Sequence, residues 1–318
     1  MTILLWLMPL VFGTLLVRRA RHIASLLPPA ATVVIVTTAS FLTAAATGFV
    51  LAVAAFAAAA AIPAVARAAL WSPDVAVGTP PLWLGAGAGV VVAWLAGAAV
   101  RRFIVAGRSM TDASLASRRL PAADRLVVVD DDRPDAYAVQ GLPGLPGRAV
   151  VSTGMLRALT PSQRRVLLAH EDAHLAGHHQ LYIQAVELSA AANPLLRPAV
   201  DVVREAVERW ADETAATHVG DRRAVAQALA QAALARTTSQ QRDNAAAGAV
   251  LQLDGSPIAA RARAMLLPAP RPRRLLAAAL AVLALSPALS ALGIGLAAES
   301  HFERAHARCA PASATSCL

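Results

Sequence analysis

The stretch His170-Glu171-Asp172-Ala173-His174 decides how this chain is read, because it sets two imidazoles one helical turn apart with a carboxylate between them. Residues i and i+4 share a helix face, so both rings can reach one metal ion. Glu171, rotated about 100° around the axis, can reach a water beside that ion. The flanks supply the helix that this spacing needs. Thr160-Pro161-Ser162-Gln163 reads as an N-cap, a proline at the first helical position and the glutamine of a capping box, and Gly177 stands where a left-handed C-terminal residue is wanted. The expected helix therefore runs from Pro161 to about Ala176.

A catalytic zinc takes three protein ligands and keeps a fourth position open, so one ligand must come from elsewhere. Three sources can be weighed. The extension H-E-x-x-H-x-x-G-x-x-H is met at Gly177, but Gln180 stands at its last position, and His178 and His179 miss the register. Glu208 lies on a later helix with Asp212 one turn on, where Asp212 can accept the Nδ1 proton of a ligating histidine. Glu205 lies on nearly the same face, but Arg209 stands at its i+4 position. Such a charged cluster is commonly a solvated, ion-paired helix face; the upstream His-Glu pair is what favours Glu208 as ligand. His178 and His179 read as surface residues at a helix end. His218, two and a half turns past Glu208, is a candidate stabiliser of a tetrahedral transition state, although a lone histidine is more often structural.

The composition is that of a membrane protein. The chain is 57% hydrophobic and 15% charged, with mean hydropathy +0.52. Four uncharged apolar stretches, 3–17, 30–62, 82–100 and 275–298, compare with about 20 residues per crossing. The first lacks a basic residue before it and has Arg18, Arg19 and Arg21 after it, which is the reverse of a signal peptide; it reads as an anchored span with its N-terminus outside. The second exceeds one crossing and is expected to tilt or to emerge past Gly48 before Pro63 ends it. On this count nine arginines flank the spans on one side against Arg67, Arg304 and Arg308 on the other, which places 106–273 in the cytoplasm of a multi-pass cell-membrane protein with both termini outside. The net charge of +9 is explained by those flanking arginines, so no direct nucleic-acid binding is expected. Cys309 and Cys317 fall in the outside tail, where they form a candidate disulfide. Gly85 and Gly89 make a G-x-x-x-G pair in the third stretch, able to pack helices within one molecule or between two.

The expected fold is mainly α. Four transmembrane helices (the first three within 1–105, the fourth at 274–298) hold a mostly helical α+β domain, 106–273, between the third and fourth, and a short tail, 299–318, follows. Within the domain, 126–129 and 148–152 are β-branched runs that read as strands around the turn-rich segment 141–147, and the second could pair with a substrate peptide along a cleft. Helices are expected over 201–219 and 222–235, with a mobile polar loop at 236–244.

Three stretches carry a family resemblance: His170-Glu171-Asp172-Ala173-His174, Glu208-x-x-x-Asp212, and Val150-Val151-Ser152-Thr153-Gly154 ahead of the metal helix. Together they resemble the integral-membrane gluzincins, and the span layout resembles the BlaR/MecR type, the antirepressor metallopeptidases of bacterial β-lactam sensing. The resemblance implies a gluzincin-like peptidase domain in which His170, His174 and Glu208 bind one Zn2+, Glu171 is the base, and Asp212 stands just outside the ligand set. It also implies limited proteolysis of a cytoplasmic regulator, such as a winged-helix repressor, or of the protein itself, in response to an external signal. A constitutive quality-control or CAAX-type peptidase shares the same residues, and a catalytically inactive signalling protein is the reading outside the enzymes. Two features depart from the pattern. The chain has no lysine, so acylation through an S-x-x-K serine is excluded, and the tail is too short for a folded sensor domain. Asp172 puts a charge where the pattern has an uncharged residue, and it needs solvent or an arginine partner.

Overall fold

A computed structural model describes residues 2–68, 81–243 and 257–308. Four long helices frame it. α1 spans Thr2–Leu26, and the Pro28-Pro29 pair that follows starts α2, Pro29–Ala60, with proline in its first turn. After the short α3, Pro63–Ala68, comes α4, Leu82–Arg118. Near the C-terminus α11, Arg274–Leu283, and α12, Ser286–Arg308, follow one another, broken at 284–285 just ahead of Pro287.

Among the described residues three helical segments are long and apolar enough to cross a membrane: Pro29–Ala60, Leu82–Arg118 and Arg274–Ser300. The expected fourth, on α1, is not among them; Arg18, Arg19 and Arg21 lie within that helix and shorten its apolar part. Part of the surplus length of α2 lies at its N-terminal end. Val33 and Val36 are fully buried against Val186, Val203 and Val207 of the domain that follows, so the first turns of α2 belong to that domain's core.

The glycine pair in α4 works within the chain. A Cβ on Gly85 would stand 1.9 Å from the Cβ of Ala58 and 3.1 Å from the carbonyl oxygen of Ala54, so α2 and α4 touch backbone to backbone there. At Gly89 the nearest atom, the Cβ of Ala55, is 3.5 Å away, an ordinary contact. Gly85→Val should therefore destabilise the protein by about 2 kcal/mol or more, while Gly89→Ala should leave it unchanged, as read by thermal unfolding in detergent.

The domain opens with a small sheet. β1 (Ala122–Ala123), β2 (Leu126–Val129), β3 (Ala136–Val139) and β4 (Arg148–Ser152) lie in the order β1-β2-β4-β3, with β2 parallel and β3 antiparallel to β4. β2 and β4 are the two expected strands; β3, Ala-Tyr-Ala-Val, has too little β-branched content to stand out. Both edges of β4 are occupied, so the expected pairing of a substrate with that strand is not available, and the open edge belongs to β3.

Helices complete the domain. α5 (Thr153–Ala158) is capped by Ser152, whose hydroxyl accepts from the Met155 amide. α6 (Pro161–Ala176) starts with both halves of the capping box, Thr160 to the Gln163 amide and Gln163 back to the Thr160 amide. α7 (His179–Ala192) and α8 (Arg197–Val219) form a hairpin joined by a single 3-10 turn, Pro194–Leu196. Gly220, at φ 77°, ends α8 in the left-handed conformation. α9 (Arg222–Asp243) runs straight through the segment expected to be a loop from Arg236, which holds neither glycine nor proline before 243, and the Thr237 and Thr238 hydroxyls donate to carbonyls one turn back. α10 (Pro257–Met265) then packs on α9 and α8, with Met265 buried among Val166, Ala215, Val225 and Ala228.

Candidate metal centre

α6 presents His170 and His174 side by side, their Nε2 atoms 3.1 Å apart. α8 packs across α6 and brings Glu208 to them, with Oε2 3.8 Å from His170 Nε2 and Oε1 3.7 Å from His174 Nε2. One donor atom from each of the three lies within 4.8 Å of the others. Tetrahedral zinc with bonds near 2.1 Å separates its ligands by about 3.4 Å, so these three positions fit that ion with shifts of a few tenths of an ångström. The protonation state also suits it. Burial, then the neighbouring His170 and Arg261, push His174 down to about 3, leaving its imidazole neutral near pH 7.

The support around the three donors comes from residues that the sequence shows unequally. Asp212, fully buried, sets Oδ1 3.1 Å from His170 Nδ1. The contact is bent away from ideal alignment, yet among the described residues no other acceptor serves that buried nitrogen, and we read it as N–H donation that leaves Nε2 free for a metal. Burial pushes the Asp212 carboxyl up, but hydrogen bonds from Arg261 and then His170 outweigh it and hold the group below the usual carboxylate range. Arg261, on α10, donates Nε and Nη2 to the two Asp212 oxygens at 2.8 and 2.7 Å, and Nη1 to Glu208 Oε2 at 2.6 Å. It is the functional residue that the sequence does not reveal: nothing in the alanine-rich Pro257–Met265 distinguishes it from Arg263 two positions on.

The histidines after the motif are placed differently from the expected pair of surface residues. His178 is exposed, takes φ 49°, and meets Gln140 at 3.0 Å. Gly177 has φ −80°, so the left-handed residue is His178; glycine is needed at 177 because a Cβ there would stand 2.4 Å from the His179 ring. His179 is 1% exposed, its Nδ1 lies 3.1 Å from His174 Nδ1, and its ring lies against Trp210. If His174 turns Nε2 to the metal, its Nδ1–H donates to His179, which fixes the ring as Asp212 fixes His170. His179→Phe should keep the fold and lower zinc affinity about 10- to 100-fold, measured by competition with a chromogenic chelator.

Glu171 lines the same cleft, of about 340 Å3, and is 5% exposed. Burial raises its carboxyl to about 7, against the pull of His170 and with a further push from Glu208. One wall of the cleft is β3 and its continuation, through Ala136, Tyr137, Ala138 and Gln140. Asp172 is exposed, so its charge sits in solvent and does not disturb the helix core. Glu205 is exposed and lines a neighbouring groove outside the donor group, and His218 is exposed and lines neither space, so its expected role at the transition state has no geometric basis. Cys309 and Cys317 lie outside the described residues.

No curated protein and no solved structure matches the chain. The family model for peptidase family M48 matches residues 107–287, from within α4 to the start of α12. That span takes in the small sheet, both metal-site histidines, Glu208, Asp212 and Arg261. Over more than half its length, with the H-E-x-x-H helix and a converging glutamate inside the matched region, this chain belongs to peptidase family M48 and is a metallopeptidase.

Proposed function

We propose that the chain is a membrane-embedded, zinc-dependent endopeptidase that cleaves a cytoplasmic regulator, a repressor-like protein, or itself. The observation that carries the catalytic reading is the convergence of His170, His174 and Glu208 beside a buried Glu171 in a cleft walled by a strand with an open edge. A peptide chain extended along β3 would pair with the outward backbone groups of Ala138 and, in exchange for their present Asp135 and Arg236 partners, of Ala136, while presenting one of its own carbonyls to the three donors. The chemistry supplied by zinc held there is acidification of water and polarisation of the scissile carbonyl. Glu171 accepts the proton that the attacking water gives up and delivers it to the leaving amine. Burial raises this carboxyl in the metal-free site, which favours uptake of that proton. Asp212, Arg261 and His179 hold the ligands and touch no substrate.

The regulatory role is favoured by the motif resemblance and by a peptidase domain set between membrane-length apolar helices. Constitutive turnover of membrane proteins is the second reading, favoured by the direct packing of α7 on α2 and α4, which sets the cleft close to the apolar helices. Comparing protein termini in native cells that carry the wild-type chain or Glu171→Gln tests both. A single accumulating regulator supports the first, many accumulating membrane proteins the second, and identical termini would refute the peptidase reading.

A further inference from the structure

The turn between α7 and α8 is packed where a cytoplasmic domain would not be. Leu196 is fully buried among Leu16 of α1, Ala39 and Ala44 of α2, and Ala284. Asn193, 3% exposed, donates from Nδ2 to the Thr47 hydroxyl of α2 at 3.3 Å. A Cβ on Gly13 of α1 would stand 3.8 Å from Leu196.

Three neighbours measure how deep this turn lies, each from its own charged end, and a fourth lies on the uncharged α2. Gly13 is five residues, about 8 Å, inward from the exposed Arg18 on α1. Ala284 is ten residues, about 15 Å, inward from Arg274. On α4, Arg102 marks the end of the apolar stretch, and it donates to Gln184 at 2.7 Å and pairs with Glu187 of α7. From Glu187 to Asn193 α7 continues six residues, about 9 Å, in the direction of the apolar half of α4. Thr47 stands well inside the apolar sequence of α2. Segment 188–200 matches that position: Arg197 is its one charged residue, while Leu195 is 51% exposed.

We propose that the α7–α8 turn is a re-entrant element seated in the phospholipid bilayer, about 10 Å below the plane of Arg102, with Leu195 facing acyl chains. The Asn193, Leu195, Leu196 and Arg197 amides all donate within the hairpin, to Ser189 O, Asn193 Oδ1, Asn193 O and Pro194 O, which suits an element inside the hydrocarbon layer. The exposed Arg197 limits the depth, because its long side chain must reach the phosphate level. One consequence rests on the peptidase reading: Glu208, twelve residues or about 18 Å along α8 from Leu196, would hold its metal only some 10 Å outside the bilayer surface, so that bonds cut there lie close to a membrane span.

The depth can be measured without catalysis. In a background with Cys309→Ser and Cys317→Ser, Leu195→Cys and the control Leu181→Cys, exposed on the metal end of α7, are spin-labelled and reconstituted in liposomes of phosphatidylcholine and phosphatidylglycerol. The label at 195 should collide with oxygen several-fold more readily than with a water-soluble nickel chelate, and the label at 181 should show the reverse. Equal preference for the nickel chelate at both positions would overturn the proposal. Should Leu195→Cys fail to fold, Arg197→Cys reads the same level. Adding Glu171→Gln should leave both depths unchanged, so a failed peptidase assignment and a failed membrane seat give different results.

Discussion

Glu171→Gln should bind zinc with the wild-type stoichiometry and turn over peptide about 1,000-fold more slowly, in the range expected for loss of a positioned general base. The amide fills the same space between His170 and the β3 wall, so the three donors stay in place, but it cannot accept a proton. Undiminished turnover in purified, metal-loaded variant would remove Glu171 from the mechanism. The same substitution has a second signature in metal-free protein. Burial raises the folded-state carboxyl to about 7 from an ordinary 4.5, so the native state holds a proton that the unfolded chain has released. That contribution is fully present below about pH 4.5 and is lost as pH rises through about 7, an interval worth on the order of 3 kcal/mol. Metal-free Glu171→Gln lacks this loss, so at pH 8 it should melt at a higher temperature than metal-free wild type, with the gap closing toward pH 5.

Arg261→Leu should be the most damaging single change outside the donor set. The guanidinium is the common partner of Asp212, which is fully buried, and Glu208, and removing it leaves the Asp212 charge in the interior with only the bent His170 contact. Leaving one buried charge unpaired costs about 3–5 kcal/mol. Zinc affinity should fall as well, because Glu208 loses the donor that holds its second oxygen. Arg261→Lys should rescue only part of either property, since an ammonium cannot fork to both oxygens of Asp212 and still reach Glu208. The sign with pH follows from the depressed Asp212 carboxyl: its contribution is present above its unfolded value and is lost as pH falls through the lower folded value. The difference in stability between wild type and Arg261→Leu should therefore be full at pH 7 and shrink below about pH 4. A constant difference across that range would mean that lost packing, rather than the unpaired carboxylate, carries the cost.

How far these residues could be read in advance depended on whether their signal is local. The start of α6 is legible to the residue because capping is decided by groups within four positions of one another, Thr160, Pro161 and Gln163; the helix also ends at Ala176 as expected, but the left-handed residue is His178 and not Gly177. Even there the reason for Gly177 was not local, since it is the His179 ring, folded back beneath the helix end, that leaves no room for a Cβ. Glu208 could be singled out because H-E-x-x-H demands a third ligand and Asp212 follows at the right spacing. His179 gives no such signal for the opposite reason: its partner on His174 is five residues away, off the i+4 face, and only the turn at His178 swings it inward.

Composition and periodicity alone determined that the chain is rich in membrane-length apolar helices, that a helix carrying two histidines one turn apart starts at Pro161, and that two strands precede it, because each of these depends on side chains adjacent in sequence or on one helix face. The tertiary structure alone decided that β3 rather than β4 offers the open edge, that Arg261 ties Glu208 to Asp212, and that the α7–α8 turn packs among the apolar helices. Those are pairings across 53 residues for Arg261 and Glu208 and across 146 for Asn193 and Thr47, and no local spacing encodes them; they follow from which apolar faces bury one another when the helices pack.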